Sequence, residues 1–243
     1  MQARLQARHG ERLSEGDWRL LEAARSLDHF IDRARATSLR RFAERLNAGM
    51  SSHAIERVLR AAWRDYVAEV ASWSSQDWRA AILWTAPLPD LPSIDGLLRD
   101  EAPLWARQDP VLAPFLEQDR RAPSRKSPLH DLLPGAKRER TLARRWYAHW
   151  RSLWPKGAAE IKALTALADT IAAHVAQLAQ AGAQDSSTPY RRALANKMTR
   201  LFRRHGGTPV AAFCHLALIA LDLERLRGGL VRRALFAPAK EAA

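Results

Sequence analysis

The chain has 243 residues, 47% of them apolar, with nine Trp. That is ample for a buried core and excludes a disordered tail. Its formal net charge is +13, and its one cysteine, Cys214, excludes an intrachain disulfide and suits a reducing compartment. The charge is uneven: ten Lys or Arg against three acids over Asp119–Arg151, and six against none over Arg191–Arg204. Thr85–Glu117 instead holds six acids against Arg99 and Arg107. Such asymmetry favours encounter with nucleic acid, anionic lipid or acidic protein without choosing among them, and a solvated helix face accounts for it equally.

Strand signals are nearly absent, whereas helix starts recur, so the expected fold class is all-α, a multi-helix bundle. The first 13 residues carry Arg4, Arg8 and Arg12 and no apolar stretch of the secretory kind, which predicts a cytoplasmic location. Asp17 precedes Trp18-Arg-Leu-Leu-Glu, and Ser26 precedes Leu27. Ser51 and Ser52 precede Ile55, Val58, Leu59, Ala62, Tyr66, Val70 and Trp73, a single apolar face at helical spacing. Ser75 opens a shorter helix through Trp84, which should end before a loop at Pro87-Leu-Pro89-Asp-Leu-Pro92.

Asp109-Pro110, Thr188-Pro189 and Thr208-Pro209 each pair an N-cap with proline at the first helical position. Arg121–Gly135 reads as a Pro-rich linker. The expected division is an N-terminal helical domain over 1–120, a linker over 121–136, a basic helical domain over 137–236 and a flexible tail over 237–243. Within the second domain the pattern predicts a basic aromatic helix over Lys137–Trp154, an Ala-rich helix over Ala158–Ala181, and two long helices separated by Gly206-Gly207. Thr37-Ser-Leu-Arg-Arg echoes Thr188-Pro-Tyr-Arg-Arg, compatible with repeated helical units.

Chemistry-bearing motifs are absent: no CxxC, no HExxH, no paired Glu-x-x-His, no phosphate-binding glycine loop and no nucleophile elbow. The expectation is no catalytic residue, no metal, no cofactor and no small-molecule substrate. Asp28, His29 and Asp32 could be drawn as an acid/base site, but a first-turn cluster favoured by the helix dipole explains them as well. Val210–Leu221 is too short to span a bilayer and reads as a core helix whose last turns reach water, with Cys214 as a core hydrophobe and His215 as a hydrogen-bonded neutral imidazole. Trp146, Trp150 and Trp154 recur every four residues beside Arg144, Arg145 and Arg151. This is foremost a core face, and otherwise a base-stacking platform or a surface for a partner helix.

The segments Arg4-Leu-Gln-Ala-Arg8, Trp18 to Leu27, Ala36-Thr-Ser-Leu-Arg-Arg, Ile55-Glu56-Arg-Val-Leu-Arg60 and Leu221-Asp-Leu-Glu224-Arg225-Leu-Arg227 together resemble the C/d subunit family of vacuolar- and archaeal-type rotary ATPases. Gly228-Gly229 stands where that family carries larger residues. The resemblance implies an all-helical, non-catalytic docking and coupling protein in ion (proton) transport, peripheral at the inner membrane face, linking a membrane rotor ring to a central stalk. Glu224, Arg225 and Arg227 would pair charges between helices. The basic half would face an acidic partner or the anionic membrane surface. The alternative is a basic helical nucleic-acid-binding protein using Arg144, Arg145, Trp146, Trp150, Arg151 and the cluster with Arg200, Arg203 and Arg204.

Overall fold

A computed structural model describes residues 1–99, 109, 111–113, 132, 141–181 and 188–236. The expected linker, all but residue 132, and the tail over 237–243 lie outside these residues. The described chain is all-helical: α1 (Gln2–Gly10), α2 (Glu15–Glu22), α3 (Leu27–Arg35), α4 (Arg40–Ala43), α5 (Ser52–Ser72), α6 (Gln76–Leu83), a 3₁₀ turn (Leu88–Asp90), α7 (Leu91–Leu98), α8 (Leu142–Ser152), α9 (Ile161–Ala181), α10 (Thr188–Arg204) and α11 (Pro209–Leu235). None of these helices is long and apolar enough to cross a membrane.

Several helix starts follow from their caps. The Ser51 hydroxyl accepts the Ala54 N–H, and Ser26 and Ser75 occupy the N-cap positions of α3 and α6. At α2 the expected start shifts. Ser14 is the cap, and Asp17 is its partner in a reciprocal capping box, each side chain bonding the other's backbone N–H. At α11 Thr208 is the N-cap as expected, but its hydroxyl donates backward to His205 O at 2.8 Å instead of accepting from the first turn. The Pro87–Pro92 stretch is not a loop. It winds through the 3₁₀ turn into α7 because its prolines fall in first turns, where a missing N–H costs nothing. The aromatic and Ala-rich helices begin at Leu142 and Ile161, later than expected. Asp109 Oδ1 accepts the Val111 N–H at 2.9 Å, while Pro110 lies outside the described residues.

Helix α11 is the axis of the molecule. It is buried on every side from Val210 to Leu216 and packs against α10, α5, α3, α1, α6 and α9. Its last turns reach water at Arg227, Gly228 and Arg232. The segments flanking the expected linker share this core: Phe213 of α11 meets Trp78 of α6 at 6.4 Å and Trp150 of α8 at 5.1 Å, both edge-on. Gly229 is where α11 crosses α3, since a Cβ there would overlap the Phe30 ring. Glycine rather than a larger residue stands at this position because Phe30 fills the space. Gly207 turns the chain between α10 and α11 with φ +85°, and its N–H donates to Gln2 Oε1. The two echoing Thr segments open unlike elements, the four-residue α4 and the seventeen-residue α10.

Candidate functional site

Several helices here end without glycine, and the carbonyls left over at their C-termini are met by side chains from elsewhere. At and beyond the end of α6, the Trp150 indole N–H donates to Ala81 O at 3.1 Å, Trp146 to Trp84 O at 3.0 Å and Trp63 to Thr85 O at 3.3 Å. Trp84 returns the bond to Trp146 O at 3.1 Å. Around α2, Arg233 donates to Glu22 O and Ala24 O with its guanidinium 4.1 Å over the Phe30 ring, and Arg33 bonds Leu20 O. Arg35 reaches Ala43 O and Leu46 O after α4.

The aromatic stripe of α8 is therefore a core face. Trp150 is 4% exposed and stacks with Trp146 at 5.6 Å. Its ring is covered by protein, so base stacking on it is excluded in this structure. Arg145 is half-buried, while Arg144 and Arg151 point outward, the latter lying near the Tyr147 and Trp154 rings.

The charged residues of α11 bind other helices. Arg12 of the α1–α2 turn forms a two-pronged bridge to Asp222 at 2.7 and 2.9 Å. Burial raises the Asp222 carboxyl above the usual range even against that guanidinium. Arg225 lies 4.7 Å over Trp18 and holds Glu22 at 2.6 Å and Glu15 at 3.0 Å, bonds that raise its pKa further. Arg227 pairs with Glu56 of α5, and Glu224 with Arg191 of α10 at 2.7 Å. Glu224, Arg225 and Arg227 thus tie α11 to three different helices. Sequence reasoning missed Arg12, Arg33, Arg35 and Arg233. Their only signal was Arg excess within helical segments, which does not distinguish a cap from a solvated cation.

Two further buried constellations exist. The Tyr66 hydroxyl and His215 Nε2 share a hydrogen bond of 2.7 Å, and burial pushes His215 down to about 3 and Tyr66 up to about 12. Cys214 beside it is likewise pushed up to about 12, the behaviour of an inert core thiol. Between α5 and the following segment, Arg64 bonds Asp90 at 3.0 Å, and Arg60 lies 3.7 Å from Asp90 and 4.0 Å from Asp109. Both aspartates are fully buried, and burial raises Asp90. The Asp28, His29, Asp32 group is exposed, with Asp32 taken by Arg35 and His29 by Arg33. No group of three or more His, Cys, Asp or Glu suited to a metal occurs among the described residues.

The outward face of α10 is cationic. On α10, Leu194, Met198 and Phe202 face the core, and Arg192, Lys197, Arg200, Arg203 and Arg204 face water. Arg191 and Arg192 are matched by Glu224 and Glu15, whereas Lys197, Arg200, Arg203 and Arg204 make no ion pair with a described residue. No family model, curated protein or solved structure matches the chain.

Proposed function

We propose that this chain is a non-enzymatic helical docking protein that couples the components of a membrane-associated complex, as its resemblance to the C/d subunit family of rotary ATPases implies. The observation that supports this reading is the wiring of Leu221–Arg227. The charges of one short segment pair with α2, α5 and α10, cross-links of the kind a coupling body needs between its helices. Charges already paired within the fold are less available to a partner, and the outward cations of α8 and α10 are left for that task. They suit an acidic protein surface, and their attraction is strongest at low salt.

The test is affinity capture with tagged protein from its own cells, in mild detergent at low salt, with and without nuclease, read by mass spectrometry. Rotor-ring and central-stalk proteins retained after nuclease are the expected result, and their absence at low salt sinks the reading. The second reading is nucleic-acid binding, favoured by Arg144, Arg151, Arg200, Arg203 and Arg204, which are all exposed without an ion-pair partner among the described residues. With Trp150 buried, such binding would rest on phosphate contacts, and affinity for duplex and single strand would fall steeply with salt.

A further inference from the structure

The cations of α10 fall into two sets. In its first turn the cations belong to charge seams between helices: Arg191 faces Glu224 of α11 at 2.7 Å and Arg192 faces Glu15 of α2 at 3.8 Å. From Lys197 onward a second set of cations, on another side of the helix, makes no ion pair with a described residue. Lys197, Arg200 and Arg204 stand at i, i+3 and i+7, on one stripe of the helix, with Arg203 beside them. At 1.5 Å per residue that stripe is about 10 Å long. Four cations so close repel one another, and the negative end of the helix dipole relieves only part of that cost.

We propose that this half-seam is completed by an acidic helix of a partner protein, whose carboxylates at i, i+3 or i+4 and i+7 pair with Lys197, Arg200 and Arg204. The inference rests on the docking reading above and names the surface and the chemistry of its partner. Three observations choose this occupant. A helix laid alongside has the same 5.4 Å pitch, so its one-turn carboxylate spacing matches the cation spacing without bending. The protein already pairs the other two cations of this helix, Arg191 and Arg192, with glutamates from neighbouring helices. The outward residues Arg192, Ala193, Asn196, Lys197, Arg200, Arg203 and Arg204 include no aromatic for base stacking and no large apolar wedge for a bilayer. Arginine adds two-pronged pairing to carboxylates at Arg200 and Arg204.

The full chain is titrated against a labelled Ala-rich helical peptide of about 20 residues with Glu at i, i+4 and i+7. A second peptide has the same composition with its Glu residues contiguous. The patterned peptide is expected to bind at about 50 mM salt, weaken at about 200 mM, and outbind the contiguous one about fivefold. Lys197→Glu/Arg200→Glu/Arg204→Glu should lose at least about tenfold, whereas Arg4→Glu/Arg25→Glu, at exposed positions on α1 and between α2 and α3, should stay within about twofold. Circular dichroism checks the fold, and the neutral Lys197→Gln/Arg200→Gln/Arg204→Gln set replaces the reversal if that variant unfolds. Equal binding of the two peptides, or an unchanged affinity in the α10 variant, overturns the proposal. So does tighter binding of duplex DNA or anionic vesicles that the same variant abolishes. Affinity capture separates the two failures. If wild type and variant retain the same proteins, α10 is not the surface but docking stands, and if wild type retains none, docking falls as well.

Discussion

His215 shows how one side chain carries both a sequence signal and a tertiary consequence. Its apolar neighbours predict a neutral core imidazole, and the fold supplies Tyr66 at 2.7 Å and full burial. Burial is the main reason for its low pKa, with His9, Arg12, Arg41 and Arg8 adding positive potential. The unfolded imidazole titrates near 6.5 and the folded one near 3, so the stabilisation is complete above pH 6.5 and is lost as pH falls through that window. One proton contributes at most about 1.4 kcal/mol per pH unit, so wild type should lose about 2 kcal/mol from this group between pH 6.5 and 5. His215→Gln keeps a partner for Tyr66 and should lack this slope. Denaturant unfolding of both proteins across pH checks it, and His9, His174, Asp90 and Asp222 cancel in the difference because both proteins carry them. Equal slopes would show that His215 is already accessible in the folded state.

At the scale of elements, the amphipathic faces were legible, as were the end of α6 at Trp84 and the glycine break before α11, but the side chains that meet the terminal carbonyls were not. Spacing alone identifies α5 and the Trp face of α8, because 3.6-residue periodicity is a local property. The last carbonyls of α2, α4 and α6 are met from other elements, by Arg233, Arg35 and the indoles of Trp63, Trp146 and Trp150. Part of the positive charge that reads as a partner surface is therefore internal capping. The crossing of α3 and α11 is equally invisible in the sequence, where Gly228-Gly229 looks like a weak point. Gly229→Ala should destabilise by about 1–3 kcal/mol, since its methyl must displace Phe30, while Gly228→Ala should be neutral or stabilising because nothing lies within 4 Å of that position. Thermal unfolding of the two variants distinguishes these cases, and equal effects would place Phe30 elsewhere.

For the whole molecule, α11 makes the two halves of the chain interdependent. Its aromatic contact Phe213 bridges α6 and α8, and its charges reach α2, α5, α10 and the turn after α1. Unfolding followed by Trp fluorescence and by circular dichroism should therefore give coincident transitions. Separate transitions would mean that the basic helical half holds a core of its own. The outward face of α10 belongs to this scale too, because only the assembled molecule shows that Arg191 and Arg192 are consumed by neighbours and Lys197, Arg200 and Arg204 are not.

By itself the sequence determined the all-helical class, the central apolar helix with its neutral histidine and inert cysteine, and the excess of cations, because periodicity, capping and composition act between residues close in the chain. Tertiary structure alone decided which cations cap, which bridge and which face water. Those outcomes depend on contacts between separate elements, some across more than two hundred residues, such as Arg12 with Asp222 and Arg225 with Glu22, whose partners no local pattern specifies.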